Sequence, residues 1–153
     1  MNYLLDTNII IIYSRENRYA EAIEKRYGLF DGKKRLFVSV VTLGELDAFA
    51  KKNKLGQRKI DKVKRILAGV GKIGIDHGEV IARYGDLDAY SQGKLGSEQK
   101  FASSRNMGKN DLWIASTASH FDLTLITTDK DFDHLSDTYL NLECISLKEL
   151  EEN

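Results

Sequence analysis

Four short apolar runs punctuate the chain: Tyr3-Leu4-Leu5, Leu36-Phe37-Val38-Ser39-Val40-Val41, Leu123-Thr124-Leu125-Ile126 and Leu142-Glu143-Cys144-Ile145. They lack the polar alternation of a sheet with one wet face, so each predicts a strand buried on both sides. Between them, apolar residues recur at three- and four-residue spacing and predict helices near 8–14, 18–28, 43–53, 57–69, 77–91, 111–121 and 146–152, with Ile60, Val63 and Leu67 forming one such face. Doubly buried strands separated by helices imply an α/β fold in three layers, a mostly parallel central sheet with helices on both faces. Gly69, Gly71 and Gly74 break up the stretch 69–75, which leaves Lys72-Ile73 open between a further short strand and a turn.

At 153 residues the chain has the length of one domain, 1–153. Its 23 basic and 23 acidic residues balance, so any footprint for a polyanion must be local. The single cysteine, Cys144, cannot form an intramolecular disulfide and suits a reducing compartment as a buried structural thiol. The N-terminal residues contain neither a basic leader nor an apolar run near the roughly 20 residues of a membrane span, so a cytoplasmic protein with no membrane segment is expected. Residues 91–110 combine glycines and serines with Lys94, Lys100, Arg105 and Lys109, and predict a long polar loop of the kind that often carries function.

The carboxylates fall at telling places. Asp6 ends the first strand, in a polar trio Asp6-Thr7-Asn8 that interrupts an apolar stretch from Tyr3 to Tyr13. An ionised carboxylate buried there costs several kcal/mol unless something pairs with it. Asp129 repeats the arrangement after Leu123–Ile126. Glu45 follows the strand 36–41 by a helical turn, and Asp111 opens a helix. In open parallel sheets the carboxyl ends of the strands face one crevice, and acids converging there would repel one another unless protonated or neutralised by a hard cation such as Mg²⁺ or Mn²⁺. Local alternatives stand beside this reading. Thr42-Leu43-Gly44-Glu45 matches a helix-capping box, and Asn110-Asp111 fits a cap followed by a first-turn acid. On spacing alone, Asp6 and Asp129 form the firm pair.

Together, Leu5-Asp6-Thr7-Asn8, Val41-Thr42-Leu43-Gly44-Glu45-Leu46, Asn110-Asp111-Leu112-Trp113-Ile114-Ala115 and Ile126-Thr127-Thr128-Asp129-Lys130-Asp131-Phe132 resemble the PIN-domain family over nearly the whole chain, and within it the VapC-type toxins. The resemblance implies a Mg²⁺- or Mn²⁺-dependent endoribonuclease whose acidic quartet, catalytic and metal-binding, is Asp6, Glu45, Asp111 and Asp129. Asp131 is a candidate fifth acid. It also implies RNA as substrate, a small antitoxin as partner in a type II toxin–antitoxin pair, and a homodimer. Asn8 and Thr127 match polar positions of the same motifs and are candidates to orient a carboxylate or a water, with capping and turn formation as the alternative. The loop 91–110 and the basic segment 51–66 exceed the family core, which leaves the choice of substrate open.

The segment 51–66 contains Lys51, Lys52, Lys54, Arg58, Lys59, Lys62, Lys64 and Arg65 against Asp61, a candidate phosphate-contacting stripe or an ordinary solvated helix face, and Lys109 lies near the crevice. Tyr84, Tyr90 and Phe101 are candidates to stack unpaired bases. His77, His120 and His134 lack metal-ligand spacing and are expected at the surface or at helix ends. One rival is a phosphotransferase or receiver-like domain with an N-terminal Asp. The first wants an acid where Asn8 stands, and the second an acidic pair near the N-terminus. A non-catalytic RNA-binding module of the same fold is the other rival, against which the complete quartet argues.

Overall fold

In the computed structural model, which describes residues 1–96 and 103–152, the apolar runs form the centre of a five-stranded sheet. The strands are β1 (Asn2–Leu5), β2 (Arg35–Ser39), β3 (Gly71–Ile73), β4 (Thr124–Thr127) and β5 (Asn141–Cys144). They lie in the order β3-β2-β1-β4-β5, and every pairing is parallel. Because successive strand residues point to opposite faces, the adjacent leucines of β1 part company. Leu4 joins a core with Leu87, Ile114 and Leu125, whereas Leu5 joins a second core with Ile9, Ile23 and Ile126. Both leucines are fully buried, which is why β1 carries no polar alternation.

The helices α1 (Thr7–Ser14), α2 (Arg18–Tyr27), α3 (Val40–Lys52), α4 (Gln57–Ala68), α5 (Gly78–Ser91), α6 (Lys109–His120) and α7 (Leu147–Glu151) cover the two faces. A 3₁₀ helix, Lys130–Leu135, follows β4. No helix among the described residues is long and apolar enough to cross a membrane.

Two boundaries differ from the sequence expectation, and one stretch that it left open is decided. Val40 and Val41 continue the apolar run of β2 but belong to α3, because Ser39 Oγ accepts the Val41 N–H at 3.2 Å and starts the helix there. The open stretch 69–75 contains β3, paired to β2, and Gly71 is required in it. A Cβ on Gly71 would lie 2.5 Å from Cδ1 of Phe37 on the neighbouring strand. The polar segment 91–110 gives up its ends to α5 and α6, and Met107 is buried in the core beside Leu112. Lys100 and Phe101 lie outside the described residues.

Cys144 is half buried rather than fully enclosed, with Sγ 3.6 Å from the Asp129 carbonyl oxygen.

Candidate active site

The strand order places a topological switch point between β1 and β4, since the chain builds β2 and β3 on one side of β1 and then crosses to the other. Backbones part at such a point and leave a crevice beyond the strands' carboxyl ends. Asp6 follows β1 and Asp129 follows β4, one on each side of it. The Asp6 N–H still bonds the Ile126 carbonyl at 3.0 Å, so the two chain exits are tied together where the acids emerge.

Asp6 is 5 % exposed. It caps α1, its Oδ1 accepting the Thr7 N–H at 2.7 Å, while its Oδ2 accepts the Thr127 hydroxyl, also at 2.7 Å. Thr127 Oγ1 in turn accepts the Asp129 N–H at 3.0 Å and Asn8 Nδ2 at 3.3 Å. One hydroxyl with a single proton and two lone pairs is thereby fully used, and it fixes Asp6 relative to the start of the Asp129 segment. Thr127 contacts Asp6 directly, whereas Asn8 reaches it only through Thr127. Asp129 Oδ1 also accepts the Asp131 N–H at 2.9 Å and caps the 3₁₀ helix, so capping and presentation at the crevice coexist in this residue.

Glu45 is not the partner in a capping box. Ser39 is the cap of α3, which puts Thr42 inside the first turn and turns Glu45 toward α1 and α6. Its Oε1 accepts the Thr7 hydroxyl at 2.7 Å, and its Oε2 accepts Asn110 Nδ2 at 3.3 Å. Buried Thr42 shares a hydrogen bond with Thr7 Oγ1 at 3.0 Å. Thr7, Thr42 and Asn110 are supports that sequence reasoning did not single out as such. The signal for Thr7 was present in the polar trio, whereas those for Thr42 and Asn110 were masked by their fit to local caps.

Asp111 sits in the first turn of α6, half buried, after a cap at Gly108 that makes no side-chain bond. Carboxylate oxygens of Asp111, Asp129 and Asp131 lie within 4.8 Å of one another. Asp131, a candidate fifth acid by sequence, is thus a member of the tightest group. Asp6 and Glu45 adjoin it closely enough for their charges to act on Asp111.

Burial raises the Asp6 carboxyl from 3.8 to about 6, against the opposing hydrogen bonds from Thr127 and Thr7 and with help from the charges of Glu45 and Asp129. Asp111 is likewise raised to about 6, first by burial and then by the charges of Asp6, Asp129, Glu45 and Asp131. Among the described residues no lysine, arginine or histidine forms an ion pair with any of the five acids. Converging hard oxygen donors with no cationic partner, two of them resisting ionisation, are the donor set and electrostatics that a divalent cation satisfies.

The other candidates sort less favourably. Tyr90 is 1 % exposed and belongs to the core, so it is not available to stack a base. Tyr84 is occupied by Trp113, the ring centroids lying 4.3 Å apart. In the basic segment Lys51 is held by Asp47 at 2.6 Å, and Lys62 and Arg58 lie 2.8 and 3.8 Å from Glu16. Glu16 lies just past the end of α1 opposite to the one Asp6 caps, and eight residues of helix separate the two by about 12 Å. His77 is at the N-terminus of α5, His120 ends α6, and His134 bonds Ser91 Oγ at 2.8 Å and lies near enough to Asp131 to interact with it.

A family model for the PIN domain matches residues 3–137. No curated protein matches the chain. Among solved structures, VapBC-1 from nontypeable Haemophilus influenzae is 30 % identical with a TM-score of 0.70, the match covering 94 % of this chain and 98 % of that one. VapBC2 from Rickettsia felis, bound to a DNA fragment from its promoter, is 24 % identical over the same shares of the two chains, with a TM-score of 0.71. VapBC-5 of Mycobacterium tuberculosis is 22 % identical over 94 % of this chain and 97 % of that one, with a TM-score of 0.61.

Proposed function

The chain belongs to the PIN-domain family, and from that premise we propose that it is a divalent-metal-dependent endoribonuclease, the toxin of a type II toxin–antitoxin pair. The carrying observation is the close group of Asp111, Asp129 and Asp131 at the sheet's switch point, with Asp6 and Glu45 held beside it by hydroxyl and amide donors and no ion pair to any of the five among the described residues. Asp6, Glu45, Asp111 and Asp129 are the catalytic, metal-holding set, with Asp131 beside them. A Mg²⁺ or Mn²⁺ ion held there supplies Lewis acidity toward water and toward the phosphodiester.

The chain's own residues do the positioning. Thr127 sets Asp6 relative to the Asp129 backbone, and these two carboxylates would be among those holding the ion. Thr7 and Asn110 each donate to one oxygen of Glu45 and hold it at the crevice to accept a proton from the attacking water. No histidine or cysteine nucleophile is required.

The antitoxin is a small protein of the same operon, an assignment supported by the VapBC complexes of Haemophilus and Rickettsia to which this chain is similar. The toxin acts as a homodimer in the cytoplasm. The test is cleavage of a mixed RNA pool with Mg²⁺ or Mn²⁺, with and without chelator. The parent is expected to cut only with metal, and Asp6→Asn and Asp111→Asn to cut at least about 100-fold more slowly. Cleavage that survives both substitutions, or that ignores the chelator, overturns the assignment. Transfer of label from acetyl phosphate to Asp6 would favour the phosphotransferase rival instead.

A further inference from the structure

Ser91 ends α5 and is fully buried, although Leu87 and Tyr90 before it on that helix belong to the apolar core. A hydroxyl enclosed in such surroundings is costly unless it is bonded. Ser91 Oγ lies 2.8 Å from His134 Nε2 and 3.4 Å from Met107 Sδ. Its carbonyl oxygen accepts the Arg105 N–H at 2.6 Å. One buried residue therefore holds two distant segments of the chain.

Those two segments carry the three closest acids. His134 belongs to the 3₁₀ helix that Asp129 caps and that contains Asp131, and its ring makes a further hydrogen bond with the Asp131 backbone. A short 3₁₀ helix has poor internal hydrogen-bond geometry and does little to fix itself. Phe132 and Leu135 bury its apolar side, but apolar contacts are not directional. Arg105 and Met107 lead into α6, whose first turn contains Asp111. That helix starts at Gly108 without a side-chain cap, so it lacks the kind of bond by which Asp6 starts α1.

We propose that Ser91 is a positioning residue for the acidic site: its hydroxyl, bonded to His134, and its carbonyl, bonded to Arg105, moor the 3₁₀ helix and the start of α6 to the end of α5, and so set Asp129 and Asp131 against Asp111. This rests on the metal-holding reading above and names residues outside the acid set on which that site depends. Three carboxylates with oxygens within 4.8 Å of one another repel when ionised and without a cation. Directional bonds to a buried anchor oppose their separation, which apolar packing alone does only weakly.

A double-mutant cycle on the full chain reads two quantities, Mn²⁺ affinity by calorimetry and amide exchange at Asp131 in the metal-free state. The Asp131 N–H is bonded to Asp129 Oδ1, so its exchange reports the moored segment. Ser91→Ala and His134→Leu are each expected to weaken Mn²⁺ binding about tenfold, the scale on which residues behind metal ligands act, and to accelerate the Asp131 exchange severalfold. The double variant should lose no more than the larger single loss, because both changes remove one bond. His134→Gln, whose amide nitrogen can take the place of Nε2, should stay within about threefold of the parent. Gly71→Ala, a destabilising change on the edge strand β3, should leave both readings at parental values.

Mn²⁺ affinity that falls as far in Gly71→Ala as in Ser91→Ala overturns the proposal, since the loss would then follow stability alone. So do fully additive losses in the double variant. Equal affinities for His134→Gln and His134→Leu also overturn it, a comparison that holds even if Ser91→Ala fails to fold. If the parent binds no Mn²⁺ while Asp131 exchange still accelerates in Ser91→Ala and His134→Leu, the mooring stands and the metal-holding reading falls. If the parent and both variants bind Mn²⁺ equally well, the metal site stands and the mooring falls. Unchanged exchange overturns the mooring in either case.

Discussion

Asp6→Asn should make the metal-free protein more stable at neutral pH, although it removes a residue of the proposed catalytic set. The folded state holds the Asp6 carboxyl at about 6, against 3.8 for the free group, chiefly through burial. The sign follows from linkage. Between those two values the folded chain binds more protons than the unfolded chain, so stability is greatest at low pH, falls as pH rises through the interval, and stays reduced above it. About two pKa units correspond to roughly 3 kcal/mol, which is the upper bound on what ionised Asp6 costs the empty fold at pH 7.

Asparagine is nearly isosteric with aspartate. Its oxygen can still accept the Thr7 N–H, and its amide can donate to Thr127 Oγ1, so the expected gain is about 1–3 kcal/mol after the hydroxyl network readjusts. Urea denaturation in chelator, repeated from about pH 4 to pH 7, is the assay. The gain should be largest at pH 7 and disappear near pH 4, where the parent carboxyl is protonated. Excess Mn²⁺ should then reverse the order, because only the parent regains full binding energy from the ion. A variant less stable than the parent at pH 7 in chelator, or a difference that does not change with pH, would refute the reasoning.

Asp131→Asn should lower Mn²⁺ affinity about tenfold or more by calorimetry while leaving the melting temperature of the metal-free chain nearly unchanged, since Asp131 is exposed yet shares the tightest carboxylate group; unaltered affinity would remove it from the site. Thr127→Val leaves the buried Asp6 carboxylate and the Asp129 N–H without their shared partner, so thermal unfolding should register a loss of about 1–3 kcal/mol. The same variant should cut RNA at least about tenfold more slowly, and near-parental behaviour in both measurements would show that the hydroxyl is dispensable. Gly71→Ala drives a methyl to 2.5 Å from the Phe37 ring and should destabilise by about 1–3 kcal/mol in urea, an expectation that an unchanged midpoint would contradict.

What the sequence determined by itself was whatever depends on composition along a few consecutive residues. Runs such as Tyr3–Leu5 and Leu123–Ile126 had to be strands buried on two faces, because nothing else of that length tolerates apolar side chains on every position. From this came the three-layer α/β architecture, now seen as an all-parallel sheet. Asp6 was conspicuous for the same local reason, being a charge where its neighbours allow none. Where local signals overlapped, the sequence was silent or misleading. Val40 and Val41 extend the apolar run of β2 but serve α3, and only the Ser39 hydroxyl bond marks the change. Tyr84 and Tyr90 look equally able to stack a base until packing buries one and covers the other with Trp113.

The site itself was decided by tertiary structure. Thr42-Leu43-Gly44-Glu45 satisfies a capping rule in one dimension, and only the approach of α1 and α6 turns Glu45 toward Thr7 and Asn110. The strand order brought Asp6 and Asp129 to opposite sides of one switch point, and the packing of α6 added Asp111. Residues over a hundred positions apart share a hydroxyl proton there, and no window of sequence contains both ends of that bond.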